Sequence, residues 1–217
     1  MVASIVLAGV LALALASTVQ AAPTAGPVPG AADLTIIVAT DGAHCGGLRY
    51  RVKQVRGAHS DADFVAAMMV AFPSGLDPAS KDPARNKAAV KKLQTWLEDA
   101  MKRMTVARAR YEKIAFASPP AAPADRVVAV ARIAQLERHF AEVIGTAEIP
   151  RTILRSASPQ DAISAYCGTL DQTATPLAAK ADEAAAVCAK FAADAHIGPG
   201  WWDAVCIAPP PSAPATP

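Results

Sequence analysis

A mainly α-helical fold is what this 217-residue chain predicts: an antiparallel bundle of three to four long helices with a small, β-hairpin-like N-terminal region, stapled by disulfides. Three observations carry that expectation. Two long segments repeat apolar residues in alternating steps of three and four, the spacing of a bundle seam. Alanine, the strongest helix former, supplies much of the 53% hydrophobic composition but buries little area. Four cysteines form an even set that can supplement a modest core.

The chain opens on an uncharged, almost wholly apolar run over residues 2–17. Val19, Gln20 and Ala21 then give the small-residue pattern of a cleavage site, and Pro23 and Gly26 follow. This order predicts a cleaved secretory signal peptide over residues 1–21. No basic residue precedes the run, so either the signal is weak or translation starts upstream of Met1. The run is at the short limit for a membrane-spanning helix, and no basic cluster follows it. Cleavage is therefore expected, with no transmembrane segment afterwards. Residues 22–32 read as a flexible linker, 33–207 as a single helical domain and 208–217 as a disordered Pro-rich tail. The expected location is the periplasm or the exterior.

Within the domain, residues 34–39 have strand character. Leu48, Tyr50 and Val52 alternate with Arg49, Arg51 and Lys53, and a turn through residues 41–47 would join the two strands. Such a hairpin is marginal alone and has to pack on the helices, and helix or irregular structure is the alternative over this region. A short helix is predicted over 61–72. Ser60 and Asp63 resemble a capping box, and Phe64, Val65, Met68, Met69 and Phe72 form a wide apolar stripe. The clearest helix runs over 83–117. Asp82 suits the N-cap, Pro83 suits the first turn, and Val90, Leu93, Leu97, Ala100, Met104, Ala107, Tyr111 and Ile114 make the seam. A second long helix over 124–148 carries Ala129, Ile133, Leu136, Phe140, Val143 and Ala147, with Val130 and Ile144 widening the stripe. The short loop between the two makes them antiparallel neighbours. A third helical region starts at Ser158 and runs to Gly198–Pro199, with Thr175–Pro176 either a kink or a fresh start.

Helix geometry bears on the cysteines Cys45, Cys167, Cys188 and Cys206. On one unbroken helix Cys167 and Cys188 would lie about 31 Å apart, whereas a disulfide needs Cα atoms within about 7 Å. That disfavours Cys167–Cys188 if the helix is continuous and leaves two of the three connectivities open; of these the expected one is Cys188–Cys206, stapling the last helix to the segment after it, with Cys45–Cys167 tying the N-terminal region to the bundle. Each would contribute about 2–4 kcal/mol.

No motif assigns a chemistry. The four histidines show no i,i+3 or i,i+4 pairing. His44 beside Cys45 is a poor thiol–imidazole pair, since neighbours in sequence do not face each other. His139 reads as a flanking surface residue and His196 as a helix C-terminal cation. No CxxC, CxxCH, HExxH, GxSxG, phosphate loop or dinucleotide fingerprint occurs, so no metal, haem or other cofactor is expected and no catalytic residue is assigned.

Charge is more informative. Residues 81–113 hold ten basic and four acidic residues, a net of +6, while residues 161–203 hold two and six, a net of −4. The basic residues spread over all non-seam positions. That spread points to a solvated face complementary to the acidic helix, and away from specific nucleic-acid binding. If the basic helix contacts an anionic surface, Lys91, Lys92, Lys102 and Arg103 are its contacts. Trp201 and Trp202 sit between Gly200 and Cys206, either plugging the end of the bundle or offering an aromatic contact. The functional expectation is a non-catalytic exported protein that binds a protein or an anionic envelope component, polymer or lipid. The alternatives are a helical carrier of a small apolar ligand and an enzyme without a recognisable motif.

Overall fold

A computed structural model describes residues 34–40, 42–54, 61–77 and 80–206. The signal peptide, the linker and the tail expected from the sequence lie outside these residues, as do His59 and Ser60. The described chain is mainly helical, with one two-stranded sheet.

Strands β1 (Leu34–Thr40) and β2 (Leu48–Gln54) pair antiparallel, with Ile36 opposite Val52 and Val38 opposite Tyr50. The alternation seen in the sequence holds over part of the strand: Tyr50 and Val52 turn towards the helices and Arg51 and Lys53 face water, while Leu48 is exposed and Arg49 half-buried. A single 3-10 turn, Cys45–Gly47, precedes β2 and holds Gly46 and Gly47 at positive φ, which glycine adopts without strain.

Helix α1 (Ala62–Met68) is shorter than the sequence predicts. Its N-cap is Asp61, whose carboxylate accepts from the Phe64 amide, which corrects the expected start at Ser60. Helix α2 (Pro83–Ala115) begins as expected, with the Asp82 carboxylate accepting from the amides of Ala84 and Arg85. Helix α3 (Pro123–Gly145) ends three residues before the expected boundary. The reason is a competing partner. The backbone of residues 147–149 pairs with the turn before β2, through Cys45 N to Ala147 O at 2.9 Å and Ile149 N to Ala43 O at 2.8 Å. A four-residue helix, α4 (Arg151–Leu154), follows and has no counterpart in the sequence reading.

Helix α5 (Pro159–Asp194) is continuous through Pro176. Proline removes one ladder bond, but Gln172, whose carbonyl loses its partner, and Pro176 both face water. Neither a break nor a fresh start follows. The helix ends in a Schellman motif: the Ile197 amide donates to Ala192 O and the His196 amide to Ala193 O. His196 occupies the left-handed position, at φ 51°, ahead of the Gly198 stop. Helix α6 (Asp203–Cys206) closes the described chain.

Helix α3 is the axis. Helices α2 and α5 flank it, and α1, α6 and β2 also touch it. It therefore buries residues around its whole circumference rather than along one stripe. Two disulfides tie peripheral segments to this frame. Cys45–Cys167 joins the turn before β2 to α5, and Cys188–Cys206 joins α5 to α6, with Cα separations of 5.5 and 5.3 Å. Among the described residues no helix is long and apolar enough to cross a membrane.

Candidate functional site

Because α3 is wrapped on all sides, three of its polar residues are inside. Arg132, Glu137 and His139 are at most 1% exposed. This overturns the surface placement expected for His139. The sequence carried a usable signal. Val127, Ala134 and Ala141 lie outside the expected seam, and adding them makes the apolar arc too wide to leave a polar face.

The first polar cluster centres on Asp61. One of its carboxylate oxygens accepts from the Phe64 amide and from Arg110 at 2.9 Å, and the other from the Tyr111 hydroxyl at 2.5 Å. Burial, reinforced by this hydrogen bond and the Asp61 charge, pushes the Tyr111 hydroxyl well above the ordinary phenol range. Arg132 lies beside it, its guanidinium 4.3 Å from the Phe64 ring and 4.4 Å from the Trp201 ring, with Nη1 donating to Gln135 at 2.8 Å. Two aromatic faces and hydrogen bonding offset the cost of burying the cation.

His139 forms the second site. Its Nδ1 lies 3.1 Å from the Tyr50 hydroxyl. Burial lowers its pKa from 6.5 to about 4, so the ring is neutral at neutral pH and Nδ1 can accept the Tyr50 proton. Burial also raises the Tyr50 hydroxyl, with the Glu142 charge adding to it. The pair anchors the hairpin to α3.

Glu137 is the third. Oε1 accepts from Arg108 at 2.5 Å, and Arg108 also donates to Glu112 at 2.8 Å. Oε2 is buried and has no hydrogen-bond partner among the described residues. Burial raises the Glu137 pKa, although the Arg108 and Lys180 charges oppose the shift. Of the three sites, this is the one with a carboxylate oxygen still able to accept a hydrogen bond.

The residues singled out in the sequence are placed differently. Lys91, Lys92, Lys102 and Arg103 are all exposed on α2. Lys92 reaches the Ser74 carbonyl at 3.3 Å and Arg103 pairs with Asp99 at 2.8 Å. Lys91 and Lys102, eleven residues apart, share one face, and Lys92 and Arg103 share another. The four are not brought into one patch. Two cross-helix ion pairs involve α3, Arg108 to Glu137 on the α2 side and Arg138 to Asp182 on the α5 side.

Trp201 and Trp202 are half-buried, edge to face at 6.1 Å, and pack on the core. Gly200 is required beside them, since a Cβ there would come within 2.4 Å of the Trp202 ring. His44 is half-buried and bridged to Glu148, and its neighbour Cys45 is committed to a disulfide. No protein-family model, curated protein or solved structure matches the chain.

Proposed function

We propose that the protein is an exported, non-catalytic binding protein that attaches to an anionic lipid surface through the N-terminal half of α2. The observation that carries this reading is an exposed amphipathic stretch. No residue of α2 before Ala100 is fully buried. Val90, Leu97 and Met101 share one face and are 39%, 43% and 39% exposed, and Lys87, Lys91 and Lys102 line the flank beside them. A row of apolar side chains next to lysines supplies both terms of interfacial binding: insertion at the headgroup boundary and attraction to acidic headgroups. A dissolved polyanion would need only the charge. The apolar leader and the two disulfides support an oxidising, extracytoplasmic compartment.

Cosedimentation tests the reading. The oxidised protein is expected to bind vesicles containing phosphatidylglycerol and to ignore phosphatidylcholine vesicles. Replacing Lys87, Lys91 and Lys102 with Gln is expected to weaken binding by about 100-fold, at about 1 kcal/mol per lysine. Equal binding to both vesicles, or to neither, would overturn it.

A further inference from the structure

A groove of about 310 Å³ opens between α2 and α5, above α3. Phe116, Val130, Ile133, Ala184 and Val187 form its apolar walls, and Glu137 lies at its floor. We infer that this groove binds a small organic ammonium ion, with the charged nitrogen on Glu137 and the hydrocarbon body along the walls. The inference is independent of the lipid-binding role assigned to the far end of α2.

Two observations select this ligand class. The buried carboxylate keeps an oxygen without a partner, and that oxygen asks for a donor. The ionisable groups around the groove are Arg108 and Lys180 against Glu112, Glu137 and Glu183. Ionised together they sum to −1, so a cation balances the site, a neutral alcohol leaves it unbalanced and a carboxylate worsens it.

Access has a route. Glu137 sits below solvent contact under the bond from Arg108 to its Oε1, so Arg108 swings aside to let an entering ammonium reach the partnerless Oε2. Arg108 is part-exposed and already holds Glu112 through Nε, so it keeps an anionic partner when it moves aside. The walls then desolvate the alkyl or aryl body, in the usual pattern of a largely apolar site with few polar groups.

Calorimetric titration of the full, oxidised chain with hexylammonium, 1-hexanol and hexanoate tests the assignment. Hexylammonium is expected to bind at one saturable site at least tenfold tighter than hexanol, with hexanoate silent. Glu137→Gln is expected to lose at least tenfold. Val187→Lys, which adds a cation at an exposed wall position and leaves the core intact, is expected to lose several-fold and covers the case in which the Glu137 variant fails to fold. Equal affinity for hexanol, unchanged affinity in a folded Glu137→Gln protein or in Val187→Lys, or no saturable binding at millimolar hexylammonium would overturn the inference.

Discussion

His139 shows how far burial alone changes a residue. Its neutral ring fits the gap between β2 and α3, and burial holds its pKa at about 4. In the unfolded chain the same ring takes a proton near pH 6.5. Between those values the unfolded state binds the extra proton, so the stability gained by keeping His139 neutral is present above pH 6.5 and is lost as pH falls towards 4. The single group is worth about 2–3 kcal/mol between pH 7 and pH 4.5. Urea unfolding at both values is expected to show that loss in the native protein and a smaller one in His139→Gln. An identical pH slope in the two proteins would contradict this role.

Tyr111 makes a second residue-scale point. Its hydroxyl is one of three donors on the Asp61 carboxylate, which joins the start of α1 to α2. Tyr111→Phe keeps the ring against Phe64 and removes only the hydroxyl. The expected cost is about 1–3 kcal/mol in chemical denaturation, set by a buried carboxylate losing one donor.

Elements differed in how much of them the sequence revealed. The hairpin and the start of α2 were legible because alternation and an Asp–Pro cap are local signals. The seam along α2 was legible as a pattern but not as burial. Periodicity says which face is apolar, yet Val90 and Leu97 stay 39% and 43% exposed among the described residues. The end of α3 and the whole of α4 depend on backbone pairing with the distant turn before β2, which no local window contains. Pro176 suggests a break because a lost ladder bond is local, while its tolerance depends on the freed carbonyl facing water. The polar site was the least legible part. Asp61, Tyr111 and Arg132 come from three helices, and burial of Glu137 and His139 follows only from wrapping α3 on every side. The end of α5 offers an element-scale check. His196 holds the left-handed position that glycine takes without cost, so His196→Gly is expected to stabilise the protein by about 1 kcal/mol, read as a small rise in Tm.

For the whole molecule, α3 and the two disulfides form a frame, and the first half of α2 rests on it through Trp96, which packs on the core and donates to the Ala71 carbonyl. The disulfides bind the periphery to α5: Cys45–Cys167 holds the turn that ends α3, and Cys188–Cys206 holds the segment carrying Trp201 against Arg132. Replacing Cys188 and Cys206 together with Ser is expected to cost about 2–4 kcal/mol, measured by denaturation. It is also expected to release the tryptophan pair from the core, seen as a red shift of emission.

The contrast between this packed frame and a basic half-helix with no fully buried residue is the central claim. Hydrogen exchange of the oxidised protein, with and without phosphatidylglycerol vesicles, tests it most directly. Without vesicles, amides over residues 83–99 are expected to exchange faster than those of α3, because this half of α2 is held at its edge by Lys92 and Trp96 and buries no residue fully. With vesicles, protection is expected to rise over residues 83–99 and stay unchanged in α3. Protection that rises elsewhere, or a first half of α2 already as slow as α3, would contradict it.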